Sequence, residues 1–358
     1  MQTNDSGYCY SFPAVRGIQA GRPFYIATCP LRIIPKIFSY NEDDVPPELR
    51  AQRTLNKTRI PDMVKYLLEN PKDYVFSALT VSVGTDITFE DNSNAPNLGI
   101  LKVPMDAQIL INDGQHRRKA IEEALKENPD LGQDNLPVLF FVDEGLQRSQ
   151  QMFADLNKYA VKPSTSLGTL YDHRDDSSEL ARYLAMEVTP FIGFTEMEKS
   201  NVSPKSNKLF TLSSIKQATK ALFGKGLKDG FNDNERDIAI KYWQEVTKHI
   251  PDWQMMLNKQ VSPAQLRQEF IHAHGVGLQA LGLLGKQLLS EHPNDWVSRL
   301  KTLQSVDWRK ANPEWIKRTM NHGRISKSTT NIQLTTNALK LKLGLALTPD
   351  EKALEKQL

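Results

Sequence analysis

The segment Ala107–Glu127, AQILINDGQHRRKAIEEALKE, leaves its backbone little choice. Ile109, Leu110 and Ile111 read as a buried strand, and Asn112-Asp113-Gly114 reads as a tight turn. Gln115-His116-Arg117-Arg118 then opens a helix whose Ala120, Ile121, Ala124 and Leu125 recur three or four apart. Gly114 supplies the conformational freedom that a sharp strand-to-helix turn needs, and Asp113 stands where a capping side chain would stand. The free N–H groups and dipole of the helix start favour an anion, and three basic side chains add donors. The set Asp113, Gly114, Gln115, His116, Arg117 and Arg118 is therefore a candidate phosphate or nucleotide site. An ordinary capped helix with a solvated Arg-Arg pair fits the same letters, and spacing alone leaves both readings open.

The rest of the chain builds two domains around that segment, as 358 residues allow. Up to residue 178 the pattern alternates strand and helix. Short extended candidates, PFYIAT and LRIIPKIF, come first. A helix in two pieces over Leu49–Asn70 follows, broken by Pro61, with Arg53, Lys57 and Arg59 crowded along it. Strands are predicted over Tyr74–Val83, at LGILKVP, at AQILIND and over Leu136–Val142, with a small one at Ile87–Phe89 inside a polar insertion. A helix over Leu146–Asn157 comes next, and Pro163-Ser164-Thr165-Ser166 gives a break and a cap. From residue 179 to 358 the pattern is helical, near 179–187, 210–223, 233–249, 262–289 and 294–304. The fold class is α+β: a mixed α/β domain (1–178) followed by a mainly α-helical one (179–358). Within 262–289, Gly275, Gly277, Gly282 and Gly285 lie on a strongly apolar helix, which makes it a central core helix or a homodimer contact.

Charge is divided unevenly. The net charge is only +3, yet Lys199–Lys342 carries 23 Lys and Arg against 11 Asp and Glu. Lys199–Lys228 has seven lysines and no acid before Asp229, and Lys205, Lys208, Lys216 and Lys220 are its candidate phosphate contacts, the last two one turn apart on a helix. Trp308–Lys342 has Glu314 as its single acid, and Arg309, Lys317, Arg318, Arg324 and Lys327 are its candidates. Trp308 and Trp315 offer stacking faces there. Two such stretches in one half-chain point to nucleic-acid binding, although basic runs are commonly solvated faces.

Other chemistries find little support. Cys9 and Cys29 fit no metal or redox spacing and read as reduced thiols of a cytoplasmic chain. His272 and His274 point opposite ways on a helix and cannot share a metal ion, and the Asp43-Asp44 and Asp175-Asp176 pairs resemble solvated surface. No metal site is expected. The chain shows neither a secretory signal nor an apolar run long enough to span a membrane.

The motif DGQHR at Asp113–Arg117 resembles the DGQHR-domain family. QRTLNKTRIPDMVKYLLENPKDYVFSALTVSV upstream, FADLNKYAVKPSTSLGTLYD downstream and NIQLTTNALKLKLGLALTPDE near the end extend the likeness over most of the chain. Within that family the layout is most similar to the DndB group of DNA sulfur modification. The resemblance implies a ParB/sulfiredoxin-like first half and a repressor of phosphorothioate modification genes that binds double-stranded promoter DNA. Other DNA sulfur modification proteins are its implied partners. Sulfiredoxin-like chemistry uses a cysteine beside the turn, and none is present here. A nucleotide, ATP or CTP, is the candidate ligand of the turn. The rival reading is a nucleotide-hydrolysing or DNA-nicking enzyme with His116 as acid/base.

Overall fold

In the computed structural model, residues 8–38, 57–142, 151–152, 155–156, 163–226 and 230–358 are described. Arg53, Asp43-Asp44, the first part of the Leu49–Asn70 helix and most of Leu146–Asn157 lie outside them. The chain is α+β and divides into two compact units, Met1–Val161 and Lys162–Leu358. The division falls earlier than the 178/179 boundary read from the sequence. The helix after Ser164 belongs with the second unit, where Ser166 Oγ donates to Ser213 Oγ at 3.1 Å.

The first unit is built on a seven-stranded sheet. Its strands are β1 (Cys9–Gln19), β2 (Arg22–Pro30), β3 (Leu79–Val83), β4 (Thr88–Asn92), β5 (Ala95–Pro104), β6 (Ile109–Asp113) and β7 (Asn135–Val142), in the order β4-β5-β1-β2-β7-β3-β6. All pairs are antiparallel except β3 with β7. β1 escapes sequence reading because Pro13 sits in its middle. The β1–β2 ladder begins one residue later, at Ala14, so Pro13 faces only β5 and interrupts nothing on the other side. LRIIPKIF is not a strand. Pro35 falls in the first turn of a short helix, α1 (Ile34–Ile37), where its missing N–H is harmless, and Ile34, Ile37 and Phe38 are buried. Only Leu79–Val83 of the Tyr74–Val83 strand joins the sheet.

Two helices cover the sheet, α2 (Ile60–Glu69) and α3 (Gln115–Glu127). Leu67 of α2 and Ile121 and Ala124 of α3 enter one core with Phe12, Phe38, Leu79, Val81, Val138 and Phe140. Each fully buried aliphatic or aromatic side chain of this kind contributes about 1.5–3 kcal/mol. β6 is an edge strand that feeds straight into α3, so the turn between them lies at the rim of the sheet.

The second unit is helical: α4 (Thr165–Tyr171), α5 (Asp176–Glu187), α6 (Leu212–Phe223), α7 (Asp233–Lys248), α8 (Pro251–Leu257), α9 (Pro263–Glu269), α10 (Gly275–Glu291), α11 (Trp296–Arg299), α12 (Thr329–Lys342) and α13 (Pro349–Glu355). The predicted helix 262–289 is two helices, α9 and α10. Phe270 is extended and bridges Arg309, and Ile271 N–H donates to Trp308 C=O at 3.0 Å, so the chain leaves helical geometry there. α10 is a core helix packed on α6. A Cβ at Gly282 would stand 2.2 Å from the Ala218 carbonyl oxygen, and one at Gly285 would stand 2.5 Å from the Tyr242 ring. Trp243, Trp253, Trp296, Trp308 and Trp315 are all buried in the core of this unit. Among the described residues no helix is long and apolar enough to cross a membrane.

Candidate functional site

At the β6–α3 turn the structure sorts the predicted phosphate set into two groups. Gly114 adopts φ 111°, a conformation open to glycine, and a Cβ there would collide with Leu79 at 2.2 Å. Asn112, fully buried, donates to Ser82 Oγ at 2.6 Å and ties β6 to β3. Gln115 is buried and donates to the Ile111 carbonyl at 3.0 Å. Arg118 is also buried: its Nε donates to the Phe38 carbonyl and its Nη2 to the Pro35 carbonyl, each at 2.8 Å, while Nη1 meets Glu122 at 2.5 Å. Both side chains are spent on holding the fold. The predicted Arg-Arg pair is thus one structural arginine beside one arginine at the turn.

That second arginine, Arg117, pairs with Asp113 at 2.6 Å and donates to Ser77. Asp113 therefore answers Arg117 instead of capping α3, whose start has no side-chain cap. The Nε of Arg117 is buried and has no hydrogen-bond partner among the described residues. His116 is partly exposed. Burial, with the charges of Arg59 and Arg117, lowers its pKa, against a smaller opposing pull from Asp113. At neutral pH its ring is uncharged. What the turn keeps for an anion is a short uncapped helix start, one arginine already held by a carboxylate and a neutral histidine.

In the second unit the predicted DNA contacts divide the same way. Lys216 is bound by Asp175 at 2.5 Å and Ser178 at 2.8 Å, and Lys220 is buried. The expected basic face of α6 therefore turns inward, because the helix packs on its neighbours with that side. Arg318 grips Glu355 through both terminal nitrogens at 2.6 Å, and Arg309 is paired with Asp307 at 2.7 Å. Trp308 and Trp315 stack on one another inside the core and offer no face to a base. Lys208 donates to the Gly193 carbonyl at 3.0 Å.

Four of the predicted cations are exposed and held by no Asp or Glu side chain among the described residues: Lys205 in the loop before β8 (Phe210–Thr211), and Lys317, Arg324 and Lys327 around a small hairpin. The hairpin pairs Met320–Asn321 with Arg324–Ile325 through a two-residue turn, His322 (φ 47°) and Gly323 (φ 73°). Positive φ at both turn positions suits the tight turn of a twisted hairpin. Lys317 also has positive φ and donates to a Leu358 oxygen at 2.5 Å. Arg324 sits at the turn itself. Sequence reasoning had these residues only as members of a charge run; the Asn-His-Gly-Arg turn was the local signal available.

Cys29 and His272 act as structure. Cys29 is fully buried, which pushes its pKa up to about 12, and Cys9 is exposed on β1. His272 is buried, accepts from Trp253 Nε1 at 3.0 Å and donates to Asp252 at 2.9 Å. It lies in a turn between α9 and α10, not on a continuous helix. Among the described residues no group of three or more His, Cys, Asp or Glu could hold a metal ion.

A family model for DndB, described as DNA-sulfur modification-associated, matches residues 12–346, nearly the whole chain. No curated protein and no solved structure matches it, so the ParB/sulfiredoxin likeness of the first unit rests on sequence resemblance alone.

Proposed function

This chain belongs to the DndB family and takes part in DNA sulfur modification, and on that premise we propose that it is a DNA-binding transcriptional regulator, a repressor of a phosphorothioate modification gene cluster. The observation that carries the reading is the hairpin of the second unit. It holds Lys317, Arg324 and Lys327 at the surface, while the basic residues of the neighbouring helices are consumed by internal carboxylates. Three exposed cations, none of them held by an Asp or Glu side chain among the described residues, thus gather at one hairpin and make it an anion-facing element. A double helix is the polyanion of this system.

The hairpin supplies phosphate contacts, and Asn321 and His322 at its turn are the groups placed to meet base edges. If Lys205 joins the three hairpin cations, about four phosphates are neutralised, and affinity falls on the order of a hundredfold between 50 and 200 mM salt. The test is a gel-shift titration of the full chain on a promoter fragment of a DNA sulfur modification cluster at both salt concentrations. Arg324→Ala is expected to weaken binding and lower the salt slope by about 1. Absence of salt-sensitive binding, or a slope unchanged in Arg324→Ala and Lys317→Ala alike, overturns the reading.

A further inference from the structure

Several basic side chains of the second unit are held by carboxylates. Lys216 has Asp175, Lys225 has Glu235, Arg236 has Glu179, Arg318 has Glu355, Lys340 has Glu351 and Lys342 has Glu314. A cavity of about 710 Å³ between the loop that leads to β8, the end of α9, the start of α10 and Lys327 is basic without such partners. No carboxylate lines it among the described residues, while Lys205, Arg267, His274 and Lys327 do.

The charge there is held by neutral partners. Arg267, buried, donates to the carbonyl oxygens of Ser203 at 2.8 Å, Pro204 at 2.9 Å and Ser206 at 3.0 Å, and also to that of Lys208. It shapes the loop without losing its charge to an acid. Lys327 donates to Gln217 Oε1 at 2.8 Å. Its residue surface is open to solvent, yet the protein around its ammonium lowers its pKa. Beside it lies Gly275, the first residue of α10, which no side chain caps; a Cβ there would sit 3.1 Å from the lysine nitrogen. His274 Nε2 donates to the Arg267 carbonyl oxygen at 2.7 Å, and burial pushes its pKa down to about 4, so it adds no charge. Arg267 is thus a buried cation with no carboxylate partner, flanked by two exposed lysines, and an anion seated beside them offsets the cost of burying that charge.

The cavity is larger than a bare ion fills. Its volume lies in the range of small-ligand sites, roughly 300–1,000 Å³. Leu209, Phe210 and Val202 give it an apolar wall beside the polar Thr211 and Ser214. A ligand with a phosphate at one end and a flat heterocycle at the other matches both halves. We propose that this cavity binds a nucleoside phosphate, its phosphate between Lys327, Lys205 and the start of α10, its base against Phe210. The site is separate from the β6–α3 turn; it shares Lys205 and Lys327 with the proposed DNA face, and titration in the absence of DNA tests it apart from that reading.

Calorimetric titration of the full chain with AMP, ATP, CTP and inorganic phosphate tests this. At least one nucleotide is expected to bind saturably and more tightly than inorganic phosphate. Lys327→Ala and Lys205→Ala should each weaken it, the double variant by roughly tenfold or more. Arg117→Ala at the other turn and Arg324→Ala at the hairpin should leave it unchanged. Lys205 is wholly on a surface loop, so Lys205→Glu keeps the test open if a Lys327 variant melts early. Saturable binding by none of the probes overturns the proposal. So does nucleotide binding lost in Arg117→Ala but kept in the double variant, or inorganic phosphate binding as tightly as the nucleotides.

Discussion

Arg117 and Arg118 are adjacent letters with opposite duties, and the difference is one of helical direction. Successive helix positions point about 100° apart, so one guanidinium meets the α1 carbonyls and the other meets the rim of the sheet. Arg118→Ala takes this donor from the carbonyls of Pro35 and Phe38 and leaves Glu122 to Lys119, and is expected to cost about 3 kcal/mol in urea unfolding. Arg118→Lys recovers only part, since one ammonium cannot reproduce a planar fork. Arg117→Ala removes an ion pair whose Asp113 side chain is 48% exposed, and should cost no more than about 1 kcal/mol. The motif letters were legible; the partners were not. Pro35 and Phe38 lie some eighty residues before Arg118, beyond any local pattern.

Among the elements, the strand-turn-helix of β6 and α3 was the most legible, because apolar period and glycine both declare it. α12 was the least. Asn331, Thr335, Thr336 and Asn337 are buried in it, held by bonds such as Thr335 to Thr319 at 2.8 Å, and buried polar residues erase the apolar stripe that reveals a helix. The break between α9 and α10 was hidden for the opposite reason: the apolar run continues across it. The glycines of α10 were readable as close packing. Gly282 approaches the carbonyl of Ala218 on α6, so Gly282→Ala gains about 1 kcal/mol of helix propensity and still destabilises, by an expected 2 kcal/mol or roughly so, as the helices separate. Thermal unfolding of this single variant measures the balance.

For the whole molecule, acid is the informative perturbation. Burial alone would raise the Asp175 pKa, but the hydrogen bonds and charge of Lys216 and Ser177 outweigh it and hold the carboxyl at about 2, against an ordinary 3.8. The stability it contributes is present above 3.8 and is lost as pH falls toward 2. His272 is kept neutral mainly by burial, with Asp252 opposing, so its contribution is present above its ordinary 6.5 and is lost as pH falls below it. Denaturant midpoints should therefore drop in two stages on acidification, and Asp175→Asn should flatten the lower one. Net charge and basic runs were visible in the sequence, whereas the internal pairing that decides which cations reach the surface was not: Lys216 and Asp175 are forty-one residues apart. The five tryptophans have a different use. All of them stand in Lys162–Leu358, none in Met1–Val161, and they are buried there. Indole emission excited at long wavelength is thus a built-in optical label of the second unit alone. A red shift that precedes or follows the loss of tyrosine and amide circular dichroism signals would show the units melting as separate cooperative bodies, and coincident curves would show them melting as one.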